Sequence, residues 1–240
     1  MFLALREIRR AKTRFALLIA AVGLLVFLIL AQQALQTALI TSFIGAIERQ
    51  SAPILVYAVD GQRTFQGSVI PPPLEAKISE VPGVAETGRL GQGTFTVVIG
   101  DDPSSDAALI GFEKANVGGP DPLSAGRLPT SPGEAVGSDV DFQLGDRVRV
   151  VPGDDAAAGP ELTVVGLAQD AQIQVTPTLF VAWPDYEAAT LAANPDARTV
   201  LPNVIGVRPA DGTSAEALTA AGNAADPQAD ALTKEDAAAK

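Results

Sequence analysis

The chain has no cysteine and no histidine among its 240 residues. The first absence excludes disulfide staples and thiol nucleophiles, and the second removes every His-based catalytic triad. Together they remove Cys/His zinc sites. Aromatic side chains are sparse, with nine Phe, two Tyr and one Trp, too few for a platform that stacks bases or sugars. Neither a G-x-x-x-x-G-K-[ST] loop nor a G-x-S-x-G elbow occurs, so the chain has no P-loop and no nucleophile elbow. A serine hydrolase lacking histidine would need a lysine base, and Lys77, Lys114, Lys234 and Lys240 sit in polar contexts that give no reason for activation. Paired acids at Asp101-Asp102 and Asp154-Asp155 fall in Gly/Pro/Ser/Ala-rich stretches, where aspartate serves turns by bonding its own backbone. The sequence predicts no catalytic residue, no cofactor and no metal site. It reads as a non-enzyme.

The charge is segregated. The formal net charge is −11, yet Met1 to Arg14 holds Arg6, Arg9, Arg10, Lys12 and Arg14 against Glu7 alone, a head of +4 on a body of −15. Phosphate would be repelled by that body, so nucleic acid is excluded as its partner. The basic head suits anionic lipid headgroups and orients a membrane segment with its N-terminus in the cytoplasm.

That segment follows at once. Phe15 to Ala31 carries no strongly polar side chain, and no charge appears before Glu48. A hydrocarbon core of about 30 Å takes roughly 20 helical residues, which the run supplies when extended toward Ile40. A cleaved signal peptide shares the basic start, but its apolar region spans about 7–15 residues. No small-x-small pair for cleavage lies between Leu30 and Glu48. The chain is therefore read as a cytoplasmic segment over 1–14 and an uncleaved transmembrane and stalk helix over 15–47. Within that helix Ala31, Ala34, Ala38, Thr41 and Gly45 recur at spacings of three or four, a face on which another helix could approach closely.

Beyond Gln50 the pattern turns to β. ILVYAV at Ile54 to Val59 reads as a strand, Pro71-Pro72-Pro73 opens a helix over Leu74 to Glu80, and strands follow from Val84 and over Thr94 to Ile99. Ala107 to Val181 is a series of short strands with Gly/Pro/Asp punctuation, the signature of a small sandwich or barrel. Trp183 and Phe180 are assigned to the core. A helix from Pro184 to Ala193, a strand at Val204 to Arg208 and a helix over Ser214 to Ala221 look like the return half of the first unit. The predicted fold class is α+β: one N-terminal transmembrane helix, then a two-part, β-rich extracytoplasmic domain over 51–223. In it a small α/β subdomain is interrupted by an inserted β subdomain at about 107–183. Residues 224–240 read as a linker or a weak helix.

Several phrases then align with one family. LALREIRRAKTRFALLIAAVGLLVFLI, ISEVPGVAETGRL (Ile78 to Leu90), LSAGRLPTSPGEAVGSDVDFQLGDRVRVV (Leu123 to Val151) and ELTVVGL (Glu161 to Leu167) resemble, in order, the corresponding phrases of MacB/FtsX-like ABC transporter permeases. The resemblance implies a MacB-like periplasmic core domain of two subdomains, one inserted in the other. It implies dimerisation with a like or related permease subunit and pairing with an ABC-type ATPase, whose motion the long helix would carry outward. Members of the family return to the membrane in three further helices after this domain. No second apolar run of about 18 residues occurs here, so the chain is expected to be a fragment, a truncated permease or a single-pass relative. Three functions follow: a non-catalytic permease subunit or its N-terminal part, a single-pass anchored interaction module in the cell membrane without transport activity, or a secreted domain with an atypical signal peptide.

Overall fold

The computed structural model describes residues 12–152 and 159–239. It falls into two compact units, Met1–Thr41 and Ser42–Lys240.

An unbroken helix, α1 (Lys12–Glu48), runs for 37 residues, roughly 55 Å at about 1.5 Å per residue. Ala and Leu dominate and no proline interrupts it, so nothing in the sequence breaks the ladder. Ala16–Gln36 is long and apolar enough to cross a membrane, and none of it is covered by protein. The last turns of α1 belong to the second unit.

That unit begins with β1 (Ile54–Ala58), a buried strand of β-branched and aromatic residues. A loop whose Phe65 returns to pack edge-on against Tyr57 leads to α2 (Pro72–Ser79). Next come β2 (Val84–Ile99), β3 (Ser105–Phe112), β4 (Leu123–Gly126), β5 (Glu134–Ser138), β6 (Arg147–Val150), β7 (Glu161–Ala168) and β8 (Thr178–Ala182). The chain closes with α3 (Trp183–Ala193), β9 (Val204–Pro209), α4 (Ala215–Ala225), β10 (Ala229–Thr233) and α5 (Lys234–Ala238).

The pairing joins all ten strands in one ladder with two parts. β10, β1, β9 and the first half of β2 form an antiparallel sheet. Ile54, Val56, Ile205 and Val207 on one of its faces meet Leu74 and Ile78 of α2 and Leu218 of α4. The second half of β2 pairs with β3, β3 with β8, β8 with β5, β5 with β7, β7 with β6, and β6 again with β2. Those six strands close on themselves as a small barrel. Its filling includes Phe95, Leu109, Phe142, Leu162, Leu179, Val181 and Trp183. A barrel this narrow holds only side chains. A third cluster, with Leu55, Leu90, Ile110, Phe112 and Phe180, spans sheet and barrel together.

The α+β reading thus stands, with differences. Val84 and Thr94–Ile99, expected as separate strands, are one strand of 16 residues. Gly88, Gly91 and Gly93 suggest a break, but they serve close approach. Gly91 and Gly111 are register partners, and a Cβ on either would collide with the Tyr186 ring of α3. The segment 224–240 is not a linker. It holds β10, paired residue for residue with β1, and α5, whose Thr233 Oγ1 accepts the Asp236 N–H. Small alanines hide β10 from a pattern search, because only contact with α4 and β1 makes Ala229 and Ala231 core residues.

Gly111→Ala should destabilise the domain by about 1–3 kcal/mol through overpacking against Tyr186. Gly222→Ala, where a Cβ meets only Ala231 at 3.4 Å, should stabilise α4 by about 0.5–1 kcal/mol. Chemical denaturation of the two variants checks the opposite signs.

Candidate functional site: the grip on the last turn of the helix

Among the described residues no group of three or more His, Cys, Asp or Glu side chains is placed to hold a metal. Asp101 and Asp102 are exposed in a turn in which the Asp102 N–H donates to the Ile99 carbonyl at 3.0 Å. Asp154 and Asp155 lie outside the described residues. Lys77 pairs with Asp226 at 2.7 Å and Lys114 with Glu86 at 3.4 Å. Phe180 and Trp183 are buried core.

A dense polar network lies where the chain leaves α1. Gly45 and Ala46 are buried, and the Ala46 N–H donates to the Gln172 carbonyl at 2.9 Å. A Cβ on Gly45 would overlap the Asp170 carbonyl oxygen, so a loop backbone lies directly on the helix backbone there. On the other flank the Asp121 N–H donates to the Arg49 carbonyl at 2.5 Å, and the Ser51 N–H to Gly119 at 2.9 Å. Ser51 Oγ accepts from the Gly118 N–H and donates to the Ala115 carbonyl, each at 2.9 Å. Gln50, nearly fully buried, folds onto Ala52: its Nε2 donates to the Ala52 carbonyl at 2.9 Å and its Oε1 accepts the Ala52 N–H. Lys234 Nζ reaches the Gln50 carbonyl at 3.5 Å. Beneath Ala46 and Ile47 lies an apolar cavity of about 10 Å³, lined by Phe65, Leu90, Ile110 and Ile173, room for one water.

The gripping loop is itself tied to the barrel. The Asp170 N–H donates to Asp139 Oδ1 at 3.0 Å, and Gln172 Nε2 donates to both oxygens of Asp141 at 2.8 and 2.9 Å. Burial pushes the Asp141 carboxyl above its ordinary range, against the hydrogen bond from Gln172. Asp170, Gln174 and Val175 all have left-handed backbones, with φ of 48°, 52° and 60°. Such a conformation costs of order 1–3 kcal/mol per residue and is rare for a β-branched side chain. The surroundings therefore hold this loop in place.

Of the sequence-predicted residues, Gly45 is drawn into this grip. Ala31 and Ala34 are exposed on α1, while the side chains of Ala38 and Thr41 lie outside the described residues, as do those of Lys12 and Arg14. Arg6, Arg9 and Arg10 are also outside. Sequence reasoning missed Asp170, Gln172 and Asp141, which look like ordinary polar loop residues. Arg127 and Glu134 lie within the family phrase Leu123 to Val151, which does not itself reveal their chemistry. Arg127 forks onto Glu134 at 2.6 and 2.7 Å, and the Thr130 and Ser131 N–H groups donate to the same carboxylate at 2.8 and 3.2 Å. The "GRLPTSPGE" phrase is a loop closed by one carboxylate.

No protein-family model matches the sequence, and no curated protein matches it. Solved structures do resemble the fold. The periplasmic region of MacB from Actinobacillus actinomycetemcomitans superposes with a TM-score of 0.52 at 12% identity, over 78% of this chain and 91% of that one. The extracellular domain of the noncanonic ABC-type transporter YknZ from Gram-positive bacteria reaches 0.46 at 11% identity, over 75% and 99% of the two chains. At such identities the first likeness is one of fold, and the second adds no weight.

Two outcomes are expected. Gly45→Ala should lower stability by about 1–3 kcal/mol in denaturation of the full chain in detergent, although glycine to alanine inside a helix ordinarily stabilises. The Glu134 carboxyl, held down first by Arg127 and then by the Thr130 N–H, should titrate at about 2 rather than the ordinary 4.5. Its share of stability is then fully present above pH 4.5 and lost as pH falls toward 2. Glu134→Gln should remove that part of the acid dependence, measured by carboxyl NMR and acid unfolding.

Proposed function

We propose that this chain is the permease subunit of an ABC transporter, or the N-terminal part of one, anchored in the cell membrane with its N-terminus in the cytoplasm. It is non-catalytic. It couples the ATP-driven motion of a partner ATPase to its extracytoplasmic domain. One observation carries the reading: a domain with the fold of MacB's periplasmic region is joined, through one unbroken helix, to a 21-residue apolar segment. The family phrases of the sequence support it.

The geometry of the grip supports the coupling. A helix that shares backbone hydrogen bonds with one loop through Ala46 and with a second through Arg49 and Ser51, just past its end, would move both loops if it slid or rotated. The loop at 170–172 is bonded to the turn at 139–141, which leads into the barrel wall. Displacement of α1 would thus reach β5 and β8 through Asp139, Asp141 and Gln172. Ala31, Ala34, Ala38 and Thr41 would pack against a second copy or a related permease helix, and lipid would cover the rest of the span. The basic head would face the ATPase.

The absence of native cysteine makes the test direct. Asp102→Cys should react with a membrane-impermeant maleimide in intact cells, and Ala11→Cys only after permeabilisation. The reverse pattern would overturn the topology. A crosslinker on Ala11→Cys should then capture an ABC-type ATPase. Labelling as expected with no ATPase captured would leave the anchored interaction module instead.

A further inference from the structure

The whole ladder of strands, sheet and barrel together, runs from β10 at one end to β4, paired with β7, at the other, and these two outer strands are closed in different ways. β4 is four residues long, and its pairing with β7 slips between Leu123 and Ala125, which blunts it as a template. β10 has no such irregularity, since it pairs with β1 in unbroken register from Thr233 to Ala229. In an antiparallel ladder alternate residues turn their N–H and C=O to opposite sides, so an outer strand offers half of them to any incoming strand. Unpaired charge commonly protects such an edge. Here the charged residue of β10, Asp230, is neutralised by Arg63, whose Nη2 donates to Oδ1 at 3.1 Å while its Nε pairs with Oδ2.

The protection comes from α4. The Asn223 amide donates to the Ala231 carbonyl at 3.1 Å, and its Oδ1 accepts the Ala231 N–H at 2.6 Å. Two residues earlier on β10, the Ala229 N–H is taken by the Asp226 carbonyl at 3.1 Å. Asn223 is exposed whereas Ala231 is buried, so this contact does not serve to fill the core. Asparagine carries a donor and an acceptor on one planar group, as a peptide does.

We infer that Asn223 is an edge guard: its side-chain amide stands in for a neighbouring strand and closes β10 to strand addition by a second copy of this chain. Without it, two β10 strands would pair antiparallel about Ala231, each supplying the N–H and C=O that the other lacks. That arrangement is the self-complementary one a two-fold contact requires.

The test uses the full chain in detergent, by sedimentation and amide hydrogen exchange. In the native chain the Ala231 amide should exchange as slowly as the amides of β1. In Asn223→Ala it should exchange roughly ten-fold faster when dilute, and the protein should associate beyond the native state as concentration rises. Asn223→Ala combined with Ala231→Pro, which removes the freed donor at an edge position that tolerates proline, should return to the native mass. An Asn223→Ala protein that melts earlier but keeps the native mass would reduce Asn223 to a tether between α4 and β10 and overturn the inference. So would a native Ala231 amide that exchanges as fast as that of Asp102, whether or not the variants fold.

Discussion

The contact between the backbone of α1 at Gly45–Ala46 and the carbonyls of Asp170 and Gln172 is the constraint on which the rest turns. A helix can join a domain through a loose peptide, and its motions then end there. This one ends inside the domain. Its last turn gives an N–H to an outside carbonyl, gives up a side chain so that a loop can lie on it, and leads into Gln50 and Ser51, whose polar groups are spent on neighbouring backbone. The end of the helix is thus part of the domain's own hydrogen-bond network.

The second constraint is β2. Because one strand serves both the four-stranded sheet and the closed barrel, the barrel is not a bead on a string. The cluster around Leu90, Ile110, Phe112 and Phe180 binds the two parts with continuous apolar contact.

Much of this was legible in the residues. The uncharged run after a basic head gave α1, β-branched runs bounded by turn residues gave most strands, and Pro184 marked the start of α3. The misses share one physical cause: they depend on partners distant in sequence. β10 is a strand because β1 and α4 make it one, and its alanines carry no β signal of their own. The glycines of β2 look like a break until Tyr186 is in place over Gly91 and Gly111. Barrel closure depends on β6 finding both β2 and β7. At the site, Gly45 was visible as one small residue among several on a helical face. Nothing local marks Asp170 or Gln172 as what lies against it. The Arg127 and Glu134 phrase was visible as a pattern, but its chemistry appeared only once the guanidinium and carboxylate were seen face to face.

The most direct measurement is amide hydrogen exchange of the full chain in a lipid nanodisc, resolved over residues 42–52. If the helix end is built into the domain, the amides of Ala46, Ser51 and Ala52 exchange as slowly as those in the centre of β2. The amide of Asp170 is then protected with them. Exchange of residues 45–52 as fast as that of an exposed turn, with β2 still protected, would mean a loose tether and would contradict the account.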